Sequence, residues 1–294
     1  MRRLFWLFLF CFADLAAAER VTWAFISDGN RQRWQILVNS VGHAERALPA
    51  DAQIWVVCAD ARCARACERL AGGARNVVCE KVREADAWEH GDRLAAKEGQ
   101  LRDGKWNYFA NRIKPNMLRG LVSRLSRAEP PSRLCFMDAD VVLRSDPTEF
   151  VRRWPLVVTA DDSGVNSGFV CLDPSHARAA ALVQQYASAC EASNYTFWEQ
   201  PVLEDLLVKL GRTPDAHILR LAKWADGFDQ FCRADSDARP KPDDPAYDER
   251  GSRFALHAAC TVDKIASLKS AGLWDEPLVR RYPAVTEGLL LSPS

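Results

Sequence analysis

No charge of one sign dominates this sequence: 39 Lys and Arg stand against 39 Asp and Glu. Interspersed charges of equal number build no field that would hold a nucleic acid or an anionic membrane surface. A G-x-G-x-x-G loop is absent, which excludes a dinucleotide cradle of the usual form, and no internal repeat appears. The most apolar stretch, Leu4 to Phe12, has nine residues, about half of the roughly 20 needed to span a bilayer. Histidines number only 5, so each can be weighed singly. What is there is a chain of 294 residues that is 48% apolar, a length and composition that bury a sizeable core without metal or disulfide. Disorder, collagen and coiled coil are excluded by the same composition.

The first residues read as an export signal. Met1, Arg2 and Arg3 precede the apolar run, and Ala16-Ala17-Ala18 gives an A-x-A cleavage pattern before Glu19. Residues 1–18 are therefore expected to be a signal peptide and 19–294 the folded domain. A retained signal anchor is the lesser alternative. Export implies the secretory pathway, the ER or Golgi lumen or the exterior, where exposed cysteine pairs oxidise. Of the 10 cysteines, Cys11 falls in the signal. Cys58, Cys63, Cys67, Cys79, Cys190, Cys232 and Cys260 are the disulfide candidates, with pairing left open, whereas Cys135 and Cys171 lie in apolar strand-like runs and are expected as small buried hydrophobes. Asn194-Tyr195-Thr196 is an acceptor sequon for glycosylation.

Short β-branched runs alternate with longer segments of helical period, the pattern of an α/β protein built on a mostly parallel sheet. Strands are expected at Val21 to Ile26, Gln53 to Cys58, Asn76 to Val82, Leu134 to Met137, Leu156 to Ala160, Gly168 to Leu172 and Ala255 to His257. Helices are expected over Arg31 to Ala47, Ala61 to Leu70, Trp106 to Leu125, Ser175 to Cys190 and Pro201 to Leu210. Arg83 to Lys105 is charged and solvent-facing in character, and the acidic, proline-rich segment 235–251 reads as a flexible loop. The whole fits one Rossmann-like domain.

The chemistry concentrates at Asp138-Ala139-Asp140, where a buried strand delivers two carboxylates at its carboxyl end. Ligands bind along that edge of an open α/β sheet. In an extended backbone residues i and i+2 share a side, so both acids can address one hard cation, Mn²⁺ or Mg²⁺. Such a cation leaves positions for phosphate oxygens and would neutralise a departing diphosphate. An acidic turn after a strand is the plainer alternative.

Further along come Ser145-Asp146-Pro147, Asn166-Ser167-Gly168-Phe169, Glu199-Gln200 and His257-Ala258-Ala259-Cys260. In this order and rough spacing the chain resembles the metal-dependent GT-A glycosyltransferases, in particular the putative nucleotide-diphospho-sugar transferase family, with features similar to the galactosyl- and xylosyltransferase family. The resemblance covers about Val21 to Leu273. It implies a GT-A fold with Asp138, Asp140 and His257 as metal ligands, Asp138 also contacting the donor. It implies that Asn166 and Gly168 meet the sugar hydroxyls, that Asp161 (or the adjacent Asp162) faces donor sugar or acceptor, and that Lys114 and Lys264 neutralise the diphosphate. Glu199 and Gln200 would lie on the face of the transferred sugar opposite the leaving group. Two departures stand out: Glu199 occupies a position that is Asp in one of the two families, and Cys260 stands where Gly is common, with Lys264 displaced by one residue from the usual lysine.

The activity so implied is transfer of a sugar from a nucleoside diphosphate sugar, UDP being the expected nucleotide, to a hydroxyl acceptor on a glycan, protein or other molecule, with retention of configuration. Two alternatives stay open on sequence grounds. One is a non-catalytic secreted carbohydrate- or nucleotide-binding protein on the same fold; the other is a metal-dependent phosphoesterase using the same acids.

Overall fold

The computed structural model describes residues 20–27, 30–81, 113–129, 132–161, 164–192, 199–222, 226, 228–230, 254–258 and 263–284. The expected signal peptide, segments 83–105 and 235–251, the start of the helix expected from Trp106, Asp162, the Asn194 sequon, Cys232 and Cys260 all lie outside them.

The described chain opens as three strands joined by two helices: β1 (Arg20–Ser27), α1 (Arg31–Ala47), β2 (Gln53–Cys58), α2 (Ala61–Ala71) and β3 (Val77–Lys81). Both helices start on a side-chain cap: Asn30 Oδ1 accepts from the backbone N–H of Gln32 and Arg33, and Asp60 Oδ1 from that of Cys63. After α3 (Lys114–Leu125) come β4 (Ser132–Met137), β5 (Val141–Leu143), α4 (Thr148–Val151), β6 (Leu156–Asp161) and β7 (Gly164–Leu172). Helices α5 (Ala177–Ala192) and α6 (Glu199–Gly211), a short 3₁₀ helix (Pro214–Ile218), β8 (Leu219–Ala222), β9 (Phe228–Gln230), β10 (Ala255–His257), α7 (Lys264–Ser270) and α8 (Glu276–Arg281) complete it.

Seven strands form the main sheet in the order β3-β2-β1-β4-β7-β6-β8. Every pairing is parallel except those of β7 with β4 and with β6. Strands covered on both faces read as nearly continuous apolar runs, and alternate residues of one strand enter different cores. Trp23 and Phe25 of β1 pack with α1 and α2, whereas Ala24 and Ile26 pack with α3, α5 and α6. The result is a three-layer α/β/α sandwich.

This topology fixes where a ligand fits. The chain runs outward from β1 to β3, then returns to β4 on the other side of β1. The sheet order therefore reverses between β1 and β4, and in open α/β sheets ligands bind outside the carboxyl ends of the strands at such a point. A second sheet, β5-β10-β9, continues from that edge through the turn between β4 and β5. Phe228 anchors it, with ring centroids 4.9 Å from Phe169 of β7, 5.3 Å from Phe150 and 5.6 Å from Phe254. Segments of three residues with no turn signature gave no warning of this small sheet beyond β10.

Two cysteine expectations are corrected. Cys135 and Cys171 are buried but form a disulfide, because the β4–β7 register sets them directly opposite each other. Among the candidates, Cys67 pairs with Cys79, joining α2 to β3, while Cys58, Cys63 and Cys190 are buried thiols. No helix among the described residues is long and apolar enough to cross a membrane.

Candidate active site

Asp138 is the first residue beyond β4, and the chain turns there at once: the Val141 N–H donates to Asp138 O at 3.0 Å. The paired acids thus meet across a tight turn, and not by alternation along an extended strand as the sequence implied. Two backbone bonds hold that turn. The Asp138 N–H donates to Gly168 O at 2.8 Å, and the Ala258 N–H to Asp140 O at 3.0 Å. Since His257 is in register with Val141 across the antiparallel β5–β10 pair, its imidazole is delivered beside Asp140, with Nε2 3.2 Å from Oδ1.

Asp138, Asp140 and His257 each offer a ligand atom, and these atoms lie within 4.8 Å of one another. Carboxylate oxygens with one imidazole suit Mn²⁺. In an octahedral shell with bonds of about 2.1 Å, adjacent donors lie about 3 Å apart, and the Asp140–His257 separation of 3.2 Å meets that requirement. His257 Nδ1 is buried without a hydrogen-bond partner among the described residues. These residues fit a divalent cation.

Lys264, the first residue of α7, ion-pairs with Asp140 through Oδ2. Burial would push the Asp140 carboxyl up, but His257 and Lys264 outweigh it and hold it well below the ordinary carboxylate range. Asp138 goes the other way. Burial and the neighbouring Asp140 charge raise it, more than Lys114 lowers it.

Lys114 opens α3, where Pro115 presets the first turn. A cation at a helix N-terminus meets the positive end of the dipole, and this one is only 3% exposed, so acids must hold it. Its Nζ donates to the Asp138 carboxylate at 3.1 Å, to Glu199 Oε1 at 3.1 Å and to Ser167 Oγ at 2.9 Å. Burial disfavours the ammonium, yet the Asp138 and Glu199 charges prevail and its pKa rises. The lysine expected at a donor phosphate is therefore directed at three protein oxygens, bridging the metal-ligand turn to α6.

Glu199 begins α6, a favourable place for an acid, and is buried. Besides Lys114, Ser167 Oγ donates to its Oε1 at 2.8 Å and the Tyr186 hydroxyl to its Oε2 at 2.6 Å. Gln200 follows with a partly buried side chain. Asn166 lies inside β7, and its Oδ1 accepts the Gly168 N–H at 2.7 Å, a local bond that engages the oxygen expected to meet sugar. Gly168 allows a close approach, to the His257 ring. Asp161 ends β6 on the same side of the sheet as the turn into β7.

The structure thus brings Asp138, Asp140, His257, Lys264, Lys114 and Glu199 into one chain of contacts. Sequence reasoning missed Ser167 and Tyr186. Ser167 stood inside the quoted N-S-G-F motif and could have been found there; Tyr186, in mid-helix with no pattern around it, could not.

No protein-family model matches the chain, and no curated protein matches it. Solved structures do. A galactosyltransferase, LgtC, in complex with donor and acceptor sugar analogs superposes with a TM-score of 0.50 at 13% identity, over 92% of this chain and 99% of that one. Mouse xyloside xylosyltransferase 1 in its apo form gives 0.49 at 14% identity, over 82% and 98%. The bifunctional glycosyltransferase WbbM, apo, gives 0.49 at 9%, over 90% of this chain and 52% of that one. The LgtC likeness shows a shared fold: this chain has the GT-A fold.

Proposed function

We propose that this protein is a metal-dependent glycosyltransferase that moves a sugar from a nucleoside diphosphate sugar, with UDP as the nucleotide, to a hydroxyl acceptor with retention of configuration. The observation that carries the reading is the convergence of Asp138, Asp140 and His257 at the carboxyl end of β4, where the sheet order of a GT-A fold reverses. In the reaction the bond from the anomeric carbon to the diphosphate oxygen breaks, a bond to the acceptor oxygen forms, and the acceptor proton leaves with the departing diphosphate.

Asp138, Asp140 and His257 would hold Mn²⁺ or Mg²⁺, and the cation would supply charge neutralisation of the diphosphate when bound. Lys264, a quarter exposed and paired with Asp140, would donate to a phosphate oxygen of the donor. Lys114 keeps Asp138 and Glu199 at fixed separation and balances their charge. Glu199 and Gln200 would face the positive charge that develops on the sugar, and Asp161, Asn166 and Gly168 border the donor and acceptor sides. The disulfides among the described residues suit an oxidising compartment, as a secretory route would provide.

Calorimetric titration of UDP with and without Mn²⁺, followed by UDP release from a panel of UDP-sugars, tests the reading. Mn²⁺-dependent UDP binding with slow release of UDP is expected. Faster hydrolysis of simple phosphoesters than of any UDP-sugar would overturn it. The anomeric configuration of the product, read by NMR, decides retention.

A further inference from the structure

Glu199 is gripped on both oxygens, and two of its donors have no role in the function so far described. The outermost torsion of a glutamate is broad. With Oε1 held by Lys114 at 3.1 Å and Ser167 at 2.8 Å, the carboxylate could still swing its second oxygen about that anchor. The Tyr186 hydroxyl, 2.6 Å from Oε2 and reaching from the middle of α5, restrains that oxygen. Core filling alone does not call for this arrangement. Tyr186 is 1% exposed, where a phenylalanine would pack equally well, and a buried hydroxyl costs free energy unless it is bonded. Its bond to a carboxylate is charge-assisted, of the short, strong kind. Burial and the nearby Glu199 charge push the phenol well above its ordinary pKa, so it remains a donor.

We propose that Tyr186 and Ser167 are positioning residues that fix the plane of the Glu199 carboxylate. The inference rests on the transferase reading above, in which that carboxylate faces charge developing on the sugar. An acid of this kind acts through preorganisation, since a group already aimed needs no reorientation as charge appears. Neither residue touches substrate; each acts through Glu199.

The decisive experiment compares wild type, Tyr186→Phe, Glu199→Gln and the double variant. Mn²⁺-dependent UDP affinity is measured by calorimetry, and kcat for UDP release is measured on the best substrate among UDP-glucose, UDP-galactose and UDP-xylose. In Tyr186→Phe, kcat is expected to fall about tenfold or more with UDP Kd within twofold of wild type, because the lost bond orients and does not bind. The double variant should lose no more than Glu199→Gln alone. A Tyr186→Phe kcat within twofold of wild type, or losses that multiply in the double variant, overturns the proposal. Should Tyr186→Phe lose its fold, Ser167→Ala is judged by the same two criteria. A wild type that neither binds UDP with Mn²⁺ nor releases it from any of the three donors defeats the transferase reading itself, and this proposal with it; that outcome is visible before any variant is compared.

Discussion

The His257 ring occupies the space that any side chain at position 168 would fill: a Cβ built on Gly168 falls 2.2 Å from His257 Cε1 and 2.6 Å from Nδ1. Gly168 is not among the residues with positive φ, so what the position requires is room and not backbone freedom. Gly168→Ala is therefore expected to displace the imidazole from Asp140. Overpacking of this kind costs about 1–3 kcal/mol of stability, and Mn²⁺-dependent UDP affinity should drop roughly tenfold if one metal ligand is misplaced, as loss of a ligand-orienting contact does elsewhere. Thermal melts and calorimetry check the two effects separately. Unchanged metal dependence in the folded variant would remove His257 from the ligand set.

Asp140 gives a prediction with a definite pH window. Its carboxyl is held far below the ordinary value of 3.8, burial being outweighed by His257 and Lys264. A depressed acid contributes stability that is present above its unfolded pKa and is lost as pH falls toward the folded one. In EDTA, the margin of wild type over Asp140→Asn should be present at pH 5 and should shrink below about pH 4, near the unfolded aspartate value. With Mn²⁺ present at neutral pH, the variant should lose metal-dependent UDP binding while keeping its fold. A margin that grew on acidification would refute the ion-pair account.

Much of this site was legible because its parts are local in sequence. An apolar strand ending in two acids is visible in Leu134 to Asp140, and strand–turn chemistry at Asn166 to Phe169 is visible in the same way. The helix expected over Arg31 to Ala47 and the strands at Gln53 to Cys58 and Ala255 to His257 have the observed bounds. What failed was whatever depends on partners distant in the chain. That β7 runs antiparallel between β4 and β6 is set by tertiary pairing, and so is the Cys135–Cys171 bridge that follows from its register. Asp138 and Asp140 looked like alternating strand residues because an apolar run continues past them, yet the backbone reverses at that point. Lys114 stays a candidate for the diphosphate; what its place in the sequence did not reveal is Glu199, 85 residues on, at its ammonium.

The disulfides allow a ranked prediction. Cys67–Cys79 closes a sequence separation of 12 and Cys135–Cys171 one of 36. Restriction of the unfolded chain by such loops is worth about 3 and about 4 kcal/mol. Double Cys→Ala variants should therefore both lower the denaturant midpoint, with the pair at 135 and 171 more harmful, since it also sits in the central sheet. Equal midpoints in oxidised and reduced wild type would show that neither bridge forms.

Lys114 offers the most direct test of how the site is assembled. Its ammonium lies 3.1 Å from both Asp138 and Glu199, so Lys114→Met leaves a partly buried and a buried carboxylate with their common counterion gone. Removing one partner of a buried ion pair costs roughly 3–5 kcal/mol, which corresponds to a melting temperature lower by on the order of 10 °C in a domain of this size. The pH dependence separates this from a packing defect. In wild type the lysine pKa is raised, the two acids outweighing burial, so its contribution is complete below its ordinary value of 10.5 and is lost only as pH climbs through the higher folded value. In the variant, burial and the charges of Asp140 and Glu199 already acting on Asp138 meet no lysine, and its carboxyl must rise further. A raised acid binds more protons folded than unfolded, so the variant should gain stability as pH falls from 8 toward 5 in EDTA, and the gap from wild type should narrow. A gap that stays constant across that range would mean that Lys114 fills space without compensating charge, and the bridge from Asp138 to Glu199 would lose its electrostatic basis.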